Sequence, residues 1–299
     1  MAITLADLAA NSTDKMVQGF VNETITDSYL LSALTFDDCM IANGTSDLIY
    51  SYKRVKTPAA AAFRALGAEP AETAPVVEKK STAVGILSDK WTMDRVAKDA
   101  AGDLYELYLE ESKNAIIRKF NSTFISGDTA KETNGFDGLA KALKGASTES
   151  TSKTDLTTVT QAAALAYMEE LDTMLSGLMR TPDVLLMSPA QRVKLNACLR
   201  VVGLGTQTME TAGRVVPSYG GIAIQEMRDG ALSTGDVYAC CLGMDGVHGV
   251  TLAGGNAVSV TLPDWSAPGA VKTGDCELVC GLAVKATKAA GVLHPKAAA

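Results

Sequence analysis

Histidine is the scarcest chemically versatile residue in this chain. There are two in 299 residues, His248 and His294. His248 sits in a glycine-rich stretch without neighbouring metal-ligand partners and reads as a surface histidine; His294 reads as part of the C-terminal tail. Also missing are a His-Glu-x-x-His zinc motif, a Gly-x-Ser-x-Gly nucleophile elbow and a Walker phosphate loop. Gly203-Leu-Gly205-Thr is a fragment of a dinucleotide fingerprint, but it follows a helix and lacks the third glycine. Cys39 lies beside Asp37 and Asp38, whose charge disfavours a thiolate nucleophile. Glu110-Glu111 and Glu169-Glu170 read as solvated helix faces. No acid, base and nucleophile converge, so we expect no catalytic residues, no cofactor and no metal site.

Long apolar runs are absent too. No stretch of about 18 apolar residues exists, so no membrane-spanning helix is expected, and Met1–Asp14 lacks the basic, apolar pattern of a signal peptide. The six cysteines, at 39, 198, 240, 241, 276 and 280, match no zinc spacing. They read as reduced, buried small hydrophobes in a chain that folds in a reducing cytoplasm. No basic stripe with interleaved aromatics appears, which argues against sequence-specific nucleic-acid binding.

What is present is uneven charge and one dominant helical pattern. The formal net charge is −7. Residues 1–47 hold one basic and seven acidic side chains, whereas residues 48–91 hold seven basic and four acidic. An acidic segment followed by a basic one suits either local attraction or complementarity between copies. Over Trp91–Gly127, apolar residues recur at helical spacing: Met93, Ala97, Ala100, Leu104, Tyr108, Ile116, Phe120 and Phe124. If helical over Met93–Phe124, this segment is about 48 Å long at 1.5 Å per residue. Ser88 or Thr92 can cap its start, and Gly127 offers a left-handed residue at its end.

The rest of the chain can be read around that helix. Residues 1–35 look like an arm, with Met16, Phe20, Ile25, Tyr29 and Leu30 marking an amphipathic turn. Leu34–Ile41 can join a sheet. Leu48–Val55 alternates as a strand, and Val76–Leu87 reads as its partner across a long excursion in which Thr57-Pro58 and Gly67 bracket a short helix over Ala59–Leu66. A two-stranded ribbon this long cannot bury much of itself and needs another molecule. After the long helix come a glycine-punctuated turn, a short helix over Leu139–Leu143, and a polar linker over Lys144–Lys153. A second helix is expected over Thr157–Met179, with Ala162, Leu165, Ala166, Met168, Leu171, Leu175 and Leu178 on its apolar side. A buried strand over Asp183–Met187 follows, and Ser188-Pro189 opens a third helix. Val201–Gly221 reads as a loop and Gly243–Gly255 as a turn region. Gly221–Met227, Asp236–Leu242 and Ala257–Leu262 read as strands. The apolar run within Asp275–Lys288 is expected to return to the domain of the long helix.

This order of elements resembles the major capsid proteins of tailed bacteriophages, the Hong Kong 97-like fold. The resemblance is carried by the ribbon Tyr50–Leu87, the segment Ala62-Phe-Arg-Ala-Leu-Gly-Ala-Glu69, the helix Thr92–Ser126, and Ile125-Ser-Gly-Asp128 leading to Asn134-Gly-Phe-Asp-Gly-Leu139. Thr181-Pro-Asp-Val-Leu-Leu-Met-Ser-Pro189 looks like the strand-to-helix step of that family's second domain. The resemblance implies an α+β fold with an N-terminal arm and lead-in (1–44), an extended E-loop hairpin (45–91), a peripheral domain with its spine helix (92–145), an α/β axial domain (146–261), and return strands with a C-terminal tail (262–299). It implies a structural protein, not an enzyme, that self-assembles through hexamers and pentamers into an icosahedral shell around double-stranded DNA. Such a protein assembles in the host bacterial cytoplasm and resides in the virion. The helix begins too early for an N-terminal scaffolding domain, so scaffolding is expected from a separate protein or not at all; portal and decoration proteins are further possible partners. Arg64, Glu69, Lys79, Lys80 and Arg95 are the inter-subunit contact candidates, the four cations facing acidic groups of adjacent copies. An encapsulin-type nanocompartment shell shares the fold and is the alternative; an enzyme with an unrecognised site is the rival from another class.

Overall fold

The structure is a computed structural model, and it describes residues 29–39, 48–57, 59–69, 72–95, 103–205, 207–211, 214–228, 230–232, 235–252 and 258–296. Most of the N-terminal arm, including Met16, Phe20 and Ile25, lies outside them. The elements in chain order are α1 (Tyr29–Ala33), β1 (Phe36–Asp38), β2 (Ile49–Thr57), β3 (Val76–Ala83), β4 (Gly85–Asp94), α2 (Asp103–Ser126), α3 (Leu139–Leu143) and β5 (Glu149–Thr151). They continue with α4 (Gln161–Ser176), β6 (Val184–Met187), α5 (Pro189–Val202), β7 (Gln207–Thr211), β8 (Arg214–Tyr219), β9 (Ile222–Glu226), β10 (Val237–Cys240), β11 (Val247–Thr251), β12 (Val258–Thr261), β13 (Val271–Val284) and β14 (Ala290–His294).

Three sheets organise these elements. One contains β1, β11, β13 and β12 in that order, with β4 also paired to β13. The second is seven-stranded, in the order β5-β14-β10-β6-β9-β8-β7. The third is β2 and β3 alone. The long strand β13 ties the first sheet together: its first part pairs with β4 and β12, and its last four residues pair with β11. The apolar run within Asp275–Lys288 therefore does join a sheet beside the long helix.

The central stripe of α2 behaves as its period requires. Ile116, Phe120 and Phe124 are buried, and Phe120 and Phe136 pack ring to ring at 6.2 Å. Burying each Phe side chain is worth roughly 1.5–3 kcal/mol. The expected start of the helix was wrong. Ser88, Trp91, Thr92 and Met93 lie in strand β4, where Trp91 and Met93 alternate inward; an apolar pair two apart is strand spacing, and it continues the β4–β13 ladder. Residues 96–102 lie outside the described residues. The helix ends at Ser126, directly before Gly127, as expected, but the conformation of that glycine is different. Gly127 is not among the left-handed glycines of the described residues. A Cβ there would sit 2.4 Å from the Phe136 carbonyl oxygen and 2.5 Å from that of Thr123, so close backbone approach explains this glycine.

In the second sheet, β6 is buried along its whole length. The Ser188 hydroxyl caps α5, accepting the Gln191 N–H at 3.2 Å, with Pro189 in the first turn and left-handed Gly203 (φ 85°) at the end. Several expectations fail here. α4 is shorter than Thr157–Met179, and its expected apolar side is borne out in part: Leu171 and Leu178 are buried and Met168 and Leu175 pack against the core, but the buried stripe is centred on Ala164, Tyr167 and Met174, and Ala162 and Leu165 are exposed. Val201–Gly221 is not a loop, because it carries the antiparallel β7–β8 pair. The linker Lys144–Lys153 contains β5, parallel to β14. Gly243–Gly255 contains the buried strand β11, parallel to β1. Its His248 is fully buried rather than on the surface. His294 is not tail but the last residue of β14, with its ring nitrogens 2.8 Å from Asp236 and 3.3 Å from Glu149. All six cysteines are buried free thiols.

Candidate interaction surface

The element least explained by the chain's own packing is the β2–β3 hairpin. Its strands pair in antiparallel register from Ile49↔Ala83 to Val55↔Val77, and among the described residues no other strand joins them. The expected partner strand was too long: Ala83 ends the ladder, and Gly85 begins β4 in the other sheet. The short helix expected over Ala59–Leu66 is absent. Residues 59–65 have no regular structure, and a turn at Leu66-Gly67 uses a left-handed glycine (φ 83°). The Thr57-Pro58 start signal is not enough, since a helix this short is unstable without a surface to pack on. Phe63 is 110% and Leu66 104% exposed, so nothing among the described residues covers either side chain.

The period-2 side-chain alternation of a strand gives the hairpin two unlike faces. Tyr50, Tyr52 and Arg54 on β2, with Glu78, Lys80 and Thr82 on β3, point inward and are half-buried. At the root, the Tyr50 hydroxyl donates to Asp37 Oδ2 at 2.5 Å, and the Tyr52 hydroxyl donates to the Val284 carbonyl at 2.7 Å. Lys285 Nζ lies 3.6 Å from the same Asp37 oxygen and 5.7 Å from the centre of the Tyr50 ring. Tyr50 also meets the buried His248 edge-on, at 5.7 Å between ring centres. Below them Cys39, Val84, Val250 and Ala283 form a small apolar cluster. Burial alone would raise the Asp37 carboxyl; the Tyr50 hydroxyl, the Asp38 N–H and the Lys285 ammonium outweigh it and hold it below the ordinary carboxylate value. Burial, followed by the bond to Asp37, pushes the Tyr50 phenol well above its ordinary value. Burial, followed by the Lys285 charge, keeps His248 below the usual imidazole value. Farther out, Glu78 links Arg54 at 3.2 Å and Lys80 at 2.8 Å. Between this inward face and the α3 region lies a crevice of about 500 Å³.

The opposite face carries Ile49, Ser51, Lys53 and Val55 against Val77, Lys79, Ser81 and Ala83. Ile49, Val55 and Val77 are each more than half exposed. The structure does not gather the five contact candidates into one site. Arg64 and Glu69 lie on the exposed connection, where Arg64 Nη1 donates to its own Ala68 carbonyl at 2.9 Å. Lys79 points outward, and Lys80 points inward to Glu78. Arg95 follows β4 in a different sheet, and its backbone N–H donates to Ala270 at 2.9 Å. Sequence reasoning missed Lys53 and the root cluster of Asp37, Tyr50, His248 and Lys285. The alternation of Tyr50 and Tyr52 with Ile49 and Ser51 was the available signal for an anchored face.

The sequence matches no protein-family profile and no curated protein. Solved structures do match. A chain from Mycobacterium phage Bobi aligns with a TM-score of 0.65 at 12% identity, covering 91% of this chain and 91% of that one. The capsid of a native GTA particle aligns with a TM-score of 0.64 at 14% identity, covering 92% and 91%. The holo-SrpI encapsulin complex from Synechococcus elongatus PCC 7942 aligns with a TM-score of 0.63 at 16% identity, covering 91% and 88%. This chain has the Hong Kong 97-like capsid fold. Within that fold β2–β3 is the E-loop hairpin and α2 the spine helix, and the seven-stranded sheet with α4 and α5 forms the α/β layer.

Proposed function

We propose that this chain is a structural protein that self-assembles into a closed icosahedral shell, the head that encloses a phage genome. The observation that carries the reading is the hairpin. Its outward face and connecting segment leave Ile49, Val55, Phe63, Leu66, Val76 and Val77 exposed, and an isolated two-stranded ribbon is marginal in water. Laid across a neighbouring copy, those side chains leave water, and many moderate contacts per copy multiply into a stable shell. The exposed Arg64, Glu69, Lys79 and Arg95 are then contact candidates between copies, whereas Lys80 is already engaged by Glu78. Hexamers and pentamers of the chain build the shell in the bacterial cytoplasm. Separate scaffolding, portal and decoration proteins are candidate partners, and double-stranded DNA is held without sequence-specific contacts. A net charge of −7 suits an inner wall to which packaged DNA does not adhere.

The likeness to an encapsulin supports a second reading, a nanocompartment shell around a protein cargo. Sedimentation of the purified full chain, followed by negative-stain microscopy, tests both. Closed particles far larger than the 31.2 kDa chain are expected. Nuclease-protected DNA in particles from phage-producing cells supports the genome container, and a co-purifying enzyme without DNA supports the compartment. A chain that stays monomeric at every concentration and turns over a metabolite would overturn both readings.

A further inference from the structure

The outward face of the hairpin contains a mismatch. Lys53 and Lys79 are direct cross-strand partners, which places their Cβ atoms about 5 Å apart, and like charges so placed destabilise a ladder. Among the described residues, the hairpin's ion pairs all lie on the other face, at Arg54–Glu78 and Lys80–Glu78. The two lysines are flanked on the same face by Val55 and Val77, both more than half exposed. The root hydrogen bonds of Tyr50 and Tyr52 turn this face away from its own body.

A matching surface exists elsewhere on the same chain. Along β13 the exposure alternates, so that Cys276 and Leu278 are buried while Asp275 and Glu277 point to the other side. Their Cα atoms are about 6.8 Å apart at strand rise. Asp275 is the cross-strand partner of Lys90, and Glu277 lies between Ser88 and Ser259. On the same outward face Ile86 is 52% and Val271 61% exposed. One surface is thus two cations with apolar flanks, and the other is two carboxylates, one of them beside Lys90, with apolar flanks.

We infer that the outward face of the β2–β3 hairpin of one copy seats on the outward face of the β4–β13 pair of a second copy, with Lys53 and Lys79 against Asp275 and Glu277. The inference rests on the shell reading and specifies which two surfaces meet. The contact removes the lysine–lysine repulsion only on assembly, so it fixes register between neighbours more than it stabilises the free chain.

The test uses the full chain. Lys53→Glu with Lys79→Glu keeps a like-charged cross-strand pair, so the hairpin's own stability is matched while the sign presented to a neighbour is reversed. Its particle yield should fall by about tenfold or more. Adding Asp275→Lys and Glu277→Lys, with Lys90→Glu to keep that cross-strand pair opposite, should restore the yield. In a separate measurement, Lys53→Met with Lys79→Met should reduce the salt dependence of assembly, because screening acts on the charges removed. A native chain that forms no shell would overturn the shell reading and this contact with it. A native chain that assembles while the Lys→Glu pair assembles equally well would overturn this contact alone. So would a folded, thermally intact reciprocal variant that does not recover, or a Met variant with unchanged salt dependence.

Discussion

Replacing Tyr50 by phenylalanine tests whether the hairpin is latched at its root. The substitution keeps the ring and its edge contact with His248 but removes the donor to Asp37 at 2.5 Å. A hydrogen bond to a charged acceptor is worth about 1.5–3 kcal/mol. Tyr50 is half-buried, and Lys285 still faces Asp37 at 3.6 Å, so the lower end of that range applies. About 1.4 kcal/mol corresponds to a tenfold change in an opening equilibrium. Amide hydrogen exchange of the unassembled chain is the assay, reading the segments 48–57 and 76–83 against β10 and β14 as an internal standard. The hairpin amides should exchange about tenfold faster while the seven-stranded sheet is unchanged, because local opening draws on local contacts. Exchange that changes by less than about twofold would refute the latch. An equal acceleration in both sheets would show that Tyr50 acts on global stability instead.

Three further outcomes follow from the same geometry. Arg64→Glu, on the exposed connection, should leave the melting temperature of the free chain unchanged while impairing assembly; particles of native size in electron microscopy would contradict this. His248 is held below its ordinary imidazole value, first by burial and then by Lys285, in a pocket it shares with Asp37 and Tyr50. The unfolded chain therefore binds the proton more readily, and stability should fall as pH drops below about 6.5; a His248→Leu variant should show a smaller loss of melting temperature between pH 7 and 5.5. Gly138→Ala should destabilise by about 3 kcal/mol, the upper end of overpacking costs, because its Cβ would lie 2.5 Å from the Thr123 carbonyl oxygen and 2.6 Å from the Gly127 nitrogen. Thermal melting checks this, and a shift of under 1 °C would contradict it.

The parts of the fold legible in the sequence are those where one local signal dominates. Ser188-Pro189 marks the start of α5, the Phe120 and Phe124 spacing marks α2, and the alternation around Tyr50 and Tyr52 marks β2. The failures arise where glycine or proline serves a tertiary purpose. Gly249 reads as turn punctuation, yet it lies within β11 because a Cβ there would sit 2.5 Å from the Phe36 ring. The glycines of Val201–Gly221 made it read as a loop, but it carries β7 and β8, and Pro217 is tolerated in β8, one strand in from the sheet edge, opposite Thr208. In α4, Leu171 and Leu178 are buried as expected, but Ala162 and Leu165 are not, because the buried stripe is centred on Ala164, Tyr167 and Met174, and the segments that cover it are distant in sequence. The candidate surface was legible as an unburied ribbon. The Lys53–Lys79 pairing was not, since register depends on where a connection of nearly twenty residues closes, and residue type alone does not fix that.

The central claim is that the hairpin's outward face is finished by another copy of the chain. A cryo-electron microscopy reconstruction of the assembled full-length protein measures this directly. The account predicts a closed shell in which Val55, Val77, Lys53 and Lys79 are buried against a neighbouring subunit. A monodisperse monomer, or a shell in which that face remains open to solvent, would contradict it.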